Sequence, residues 1–233
     1  MLSTTYFILN MKKAWWKVLT VALLIYSVVM GLLGTVPRLA ILNETIRNLY
    51  FHVPMWFGMT IILFASVVYS VLYLRKPSDR LDVWAYQTAR TGTVLAVLGL
   101  ATGSVWARFT WGTWWTADPR LNGAAVAVLI YGAYLVLRSS IVDEQQRARI
   151  SAVYNIFAFC AAIPLLFILP RLTDSLHPGA GGNPGFNQYD LDNNMRLVFY
   201  PAVIGWTLLG VWITNVSARL TFVKHKLYEK QLA

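Results

Sequence analysis

Three histidines carry most of the metal chemistry available to this chain: His52, His177 and His225. Imidazole is a common ligand for haem iron and for other transition metals. His225 lies between Lys224 and Lys226 near the end of the chain and reads as part of a solvated basic tail. His52 precedes Pro54 by two residues, and His177 sits in a stretch rich in Gly, Pro, Asn and Asp. Taken singly, either is equally compatible with a ring bonded to a backbone carbonyl. As a pair in a histidine-poor chain, they could supply both axial positions of one haem iron. Zinc fits less well: a structural zinc site takes four ligands, often with cysteine, and the one cysteine, Cys160, falls inside an apolar run.

Between the two histidines lies an aromatic segment, Trp106 to Arg120. Four of the 10 tryptophans, Trp106, Trp111, Trp114 and Trp115, fall in it. Tryptophan belts mark membrane interfaces, which accounts for Trp15, Trp16 and Trp84 but accounts poorly for so dense a cluster. A broad apolar platform is what a porphyrin face requires. Arg108 and Arg120 flank the cluster and could pair with carboxylates of such a ligand, or could simply reach to the interface from helix ends. No hydrolytic constellation is evident. Ser175 lies near Asp174 and His177, but closeness in sequence does not build a triad. There is also no phosphate-binding glycine loop, so the reading is of a protein that is not an enzyme and does not hydrolyse ATP.

The elements that must position these residues are membrane helices. Of the 233 residues, 57% are hydrophobic and 13% charged, against about 25% charged in soluble domains. A bilayer core takes about 20 apolar residues as a helix. Six such stretches are expected, at 18–36, 55–74, 91–109, 121–137, 152–169 and 197–216, forming one all-α membrane domain over residues 1–233. The stretches are too uniformly apolar for barrel strands, which alternate. Val18–Val36 is too long for the apolar region of a cleavable signal peptide, and Met11-Lys12-Lys13 offers an alternative start to Met1.

Positive charge sets the expected orientation. Of the 20 Lys and Arg, Arg38, Arg47, Arg108, Arg120, Arg171 and Arg196 fall in loops on one side, and the others fall on the opposite side. Both termini are therefore expected in the cytoplasm. Loops 37–54, 108–120 and 171–196 are expected on the outer face, the first with the pattern of a short amphipathic helix. The net charge of +10 is then a membrane-topology signal and does not indicate nucleic acid.

Several motifs in this frame resemble a known family. Thr102-Gly103-Ser104-Val105-Trp106, Trp111-Gly112-Thr113-Trp114-Trp115, Asp118 and Arg120-Leu121 are similar to the tryptophan-rich signature of the heme exporter protein C (CcmC/CcsA) family of cytochrome c maturation. Tyr50-Phe51-His52-Val53-Pro54 resembles the family's first histidine motif, and Leu176-His177 its second. Ala117 and Pro119 depart from the usual residues, and the loop after His177 is longer and richer in glycine. The resemblance implies a protein of the cytoplasmic membrane that holds haem on its outer face, non-covalently and transiently, as b-type haem. It implies His52 and His177 as axial ligands, with Trp111, Gly112, Thr113, Trp114, Trp115 and Asp118 as the platform. It further implies transfer to a periplasmic haem chaperone, alongside ABC-type transporter subunits. A haem-bearing subunit of a quinone-linked redox enzyme and a membrane scaffold without haem are the competing classes.

Overall fold

The computed structural model describes residues 2–38, 42–173, 175, 177 and 191–232, with side chains among these from Ala14 to Gln231. All regular structure among them is helical: α1 (Leu2–Leu33), α2 (Leu49–Arg75), α3 (Asp79–Trp111), α4 (Pro119–Ser140), α5 (Glu144–Ile163), α6 (Leu169–Leu172) and α7 (Asn193–Leu232). A 3-10 segment, Asn43–Asn48, leads into α2, and a π turn, Pro164–Ile168, joins α5 to α6. Six helical stretches are long and apolar enough to cross a membrane: Ala14–Leu33, Asn43–Arg75, Asp79–Trp111, Pro119–Ser140, Glu144–Leu172 and Asn193–Gln231. Helices satisfy every backbone polar group internally, which lipid requires.

The helices run past the apolar runs from which sequence places them, and this moves three loop boundaries. Loop 37–54 is largely helical, because the 3-10 segment and α2 begin at Asn43 and Leu49. Pro54 lies inside α2 and does not start it. Tyr50 and Met55 on either side of it are buried, so packing outweighs the hydrogen bond that proline removes. The apolar side of the 3-10 segment faces the bundle. Leu42, Ile46, Leu49 and Tyr50 are buried against Met195, Val198 and Phe199 of α7, and Arg47 donates to the carbonyl oxygens of Gly31 and Gly34, at 3.1 and 2.6 Å, tying down the end of α1. Loop 108–120 shrinks to residues 112–118, since α3 continues to Trp111 and Pro119 opens α4 with Asp118 as its N-cap. In loop 171–196, α6 ends at Leu172 and α7 begins at Asn193; the Gly-rich run from 178 to 190 lies outside the described residues.

Close contact between α2 and α3 organises the bundle. Gly92, Gly99 and Gly103 fall on one side of α3, where side chains of α2 fill the space a Cβ would occupy: Leu63, Trp56 and His52 respectively. Small residues allow membrane helices to approach in this way. In mid-bundle, Met59, Leu63, Leu95, Ala96, Ala127, Tyr131, Ala158 and Ala162 form a second core. At the end away from residues 112–118, Arg138 of α4 makes a two-pronged ion pair with Asp82 of α3, at 2.8 and 2.6 Å.

Candidate functional site

The site lies at the end of the bundle where α2 begins and α3 ends. His52 occupies the first turn of α2 and is part of the helix, which corrects its placement in a loop. Its Nδ1 is 3.1 Å from the Thr102 hydroxyl oxygen. That hydroxyl has its own proton directed at the carbonyl oxygens of Leu98 and Gly99, each at 3.0 Å. The oxygen therefore accepts from Nδ1–H, and the neutral ring keeps Nε2 as its lone-pair nitrogen. The edges of Trp56 and Trp106 enclose the ring, with centroids at 6.3 and 5.8 Å. Trp106 is held in turn by a bond from its Nε1 to the Thr45 hydroxyl at 3.2 Å.

His177 approaches from the far side of the sequence. Its Nδ1 lies 3.0 Å from Asp118 Oδ1, and its ring meets Trp111 edge-on at 5.2 Å. Asp118 is fully enclosed. Its Oδ1 also accepts from the Arg120 amide at 2.9 Å, and Oδ2 accepts from Ser175 at 2.8 Å. Burial pushes the His177 pKa below its ordinary 6.5 and Arg120 pushes the same way, while Asp118 opposes both. The pair is then a neutral imidazole donating to a carboxylate, and not an ion pair. In both rings Nδ1 is engaged, the arrangement that prepares Nε2 for a metal.

The two histidines share one small cavity of about 20 Å³, lined by Leu42, His52, Gly103, Trp106, Ala107, Thr110, Trp111 and His177. That is room for roughly one water. The donor set suits an iron porphyrin: two neutral imidazoles and tryptophan walls. The space does not suit one until a wall moves. The outer wall borders residues 112–118. Gly112 ends α3 in a left-handed conformation, φ 78°, which favours glycine. Arg108 donates to the Gly112 carbonyl, Ser104 to that of Trp114 at 2.7 Å, and Trp115 Nε1 to Asn122 at 3.2 Å.

The residues singled out from the sequence therefore divide. His52, His177 and Trp111 line the cavity, and Asp118 supports it. Gly112 and Thr113 shape the connection, Thr113 by donating to the Trp115 carbonyl. Trp114 and Trp115 are 59% and 42% exposed and stand outside the cavity. Arg108 latches its own loop, and the Arg120 backbone bonds the Asp118 carboxylate. Sequence reasoning placed Thr102, Gly103 and Trp106 in the tryptophan-rich motif without giving any of them a contact to His52, and it set Ser175 aside. The helical spacing of Thr102, Gly103 and Trp106 is the signal that could have found the first three. Ser175 carried none. Among the described residues, no group of three or more His, Cys, Asp or Glu is placed to hold a metal ion.

Fold and site together define a multi-pass membrane protein of six helices whose two histidines converge, with tryptophan walls, at one end of the bundle. The chain belongs to the heme exporter protein C family, whose profile matches residues 3–233. Over 194 residues it is 25% identical to the heme exporter protein C of Paracoccus denitrificans (strain Pd 1222), covering 82% of this chain and 77% of that protein. It is 28% identical over 166 residues to the heme exporter protein C of Rhodobacter capsulatus, covering 71% and 68%. A cytochrome c biogenesis protein CcsA of Prochlorococcus marinus subsp. pastoris is 40% identical over 80 residues, 34% of this chain and only 26% of the relative.

Proposed function

We propose that this chain is a haem carrier of cytochrome c biogenesis. It holds b-type haem non-covalently at the outer face of the cytoplasmic membrane and passes it to a haem chaperone, working beside ABC-type transporter subunits. The observation that carries this reading is the shared cavity: His52 and His177, far apart in sequence, meet between Trp106 and Trp111. His52 and His177 would hold the iron. Trp111, with Trp106, would cover the macrocycle, and Trp114 and Trp115 would extend that cover when the outer wall opens. Arg108 and Arg120 would meet propionates on leaving their present partners. Haem is cargo here, and the iron supplies the bond by which it is gripped; the chain's own work is to present two neutral nitrogens, exclude water and yield. The outward assignment rests on the positive-inside bias, since the site end carries Arg38, Arg47, Arg108, Arg120, Arg171 and Arg196 and the opposite end carries the larger basic group.

The test is hemin titration of the purified chain followed by incubation with an apo-chaperone. The wild type is expected to give a low-spin two-histidine spectrum and to lose haem to the acceptor. His52→Ala and His177→Ala should each alter the spectrum and weaken retention, and the double variant should abolish two-histidine character, while His225→Ala changes nothing. A wild-type spectrum in the double variant refutes the ligand assignment. Tight haem that never transfers refutes the carrier reading in favour of a resident redox group.

A further inference from the structure

We propose that Asp118 and Thr102 are positioning residues that make the two imidazoles unequal donors, His177 the stronger and His52 the weaker, an assignment that builds on the haem reading above. The two rings differ in what holds Nδ1. His177 donates to a carboxylate, and hydrogen bonds with an ionised partner are roughly twice as strong as neutral ones. A carboxylate behind an imidazole also raises its basicity as a ligand. His52 donates to a neutral hydroxyl whose own proton is committed to Leu98 and Gly99.

The Asp118 carboxylate is also held rigidly. It takes donors from His177, Ser175 and the Arg120 amide, and its side chain is 0% exposed. Water therefore screens its charge little. The hydrogen bond from Ser175 reaches Oδ2, the oxygen opposite that facing His177, so the serine fixes the plane of the carboxylate. Among the described residues, the neighbours of His52 are Trp56, Trp106, the bare backbone of Gly103 and the hydrogen-bonding backbone of Gly99, none of which carries a formal negative charge. A stronger donor favours the ferric state of an iron it binds. The chain thus has one nitrogen suited to keep its ligand and one suited to let go.

The experiment uses the full chain in lipid nanodiscs with ¹⁵N-labelled histidine. Without haem, Nδ1 of His177 is expected to show more imidazolate character than Nδ1 of His52. Asp118→Asn, which retains an N-cap residue, should erase that difference, and Thr102→Val should change only the His52 signals. With hemin bound, Asp118→Asn should raise the midpoint potential by on the order of 59 mV, a tenfold change in the ratio of ferric to ferrous affinity. Thr102→Val should give a clearly smaller shift, and His177→Ala should weaken hemin retention more than His52→Ala. Indistinguishable ¹⁵N signatures in the wild type, or a larger potential shift in Thr102→Val than in Asp118→Asn, overturns the proposal. If the labelled chain shows the difference but binds no hemin, the ranking of donors holds and the haem reading fails.

Discussion

A single methyl group at Gly103 should disable the site while leaving the bundle folded. A Cβ built there stands 2.7 Å from His52 Cε1, whereas carbon atoms rest at roughly 3.5 to 4.0 Å. The ring must therefore retreat by about 0.8 Å or more. It has little room to do so, since Trp56 and Trp106 enclose it. A shift of that size also carries Nδ1 away from the Thr102 oxygen, now at 3.1 Å and close to the limit of a useful bond. Overpacking of this kind costs about 1–3 kcal/mol. The free chain relaxes by letting the ring retreat, and returning it to grip hemin moves that cost onto binding, about 5- to 150-fold in affinity. The helix itself gains, because alanine is about 1 kcal/mol better than glycine in a helix interior. Gly132→Ala is the control, since nothing lies within 4 Å of its Cβ position. The assay is hemin titration with thermal denaturation in parallel. Gly103→Ala should lose affinity at near-normal melting temperature, and Gly132→Ala should lose neither. Wild-type hemin affinity in Gly103→Ala would refute the close fit of His52 against α3.

The remaining expectations concern pH, the aromatic wall and orientation. The His177 pKa is held below 6.5, so the folded state takes up a proton less readily than the open chain. The stabilisation from its neutral ring is complete above that ordinary value and is lost as pH falls through the lowered one. Hemin retention, followed by absorbance, should be flat above about pH 7 and decline in acid. Arg120→Gln removes a charge that lowers the value and should move the decline to higher pH; an unchanged midpoint counts against the electrostatic account. Trp111→Ala uncovers on the order of 100 Å² of ligand surface, worth about 2.5 kcal/mol, and should weaken hemin binding more than the double change Trp114→Ala, Trp115→Ala. The reverse order in the titration would place the platform outside the observed cavity. In a Cys160→Ser background, a cysteine at Thr113 should react with an impermeant reagent from the outer side and one at Ser78 should not; labelling of the Ser78 position from outside inverts the orientation.

The membrane character and the number of spans were legible in sequence, as was the candidacy of His52, His177 and the tryptophan segment, because each rests on local properties. An apolar run long enough to cross a bilayer declares itself residue by residue, and a dense aromatic cluster is visible without knowing its neighbours. Helix ends were less legible. Pro54 resembles a helix start, yet the buried flanks of Tyr50 and Met55 carry the helix through it, and only packing between α2, α3 and α7 decides that. The division of the aromatic segment was likewise a tertiary outcome. Trp106 and Trp111 turn toward the histidines while Trp114 and Trp115 face outward, because α3 ends at Gly112 and the direction of everything beyond depends on that left-handed residue. The support for His177 lay furthest from view. Asp118 caps α4, and Ser175 follows α6 and its π turn. Their hydrogen bonds to one another and to His177 exist only because separate helix ends converge, and a contact between distant segments is set by the path of the whole chain.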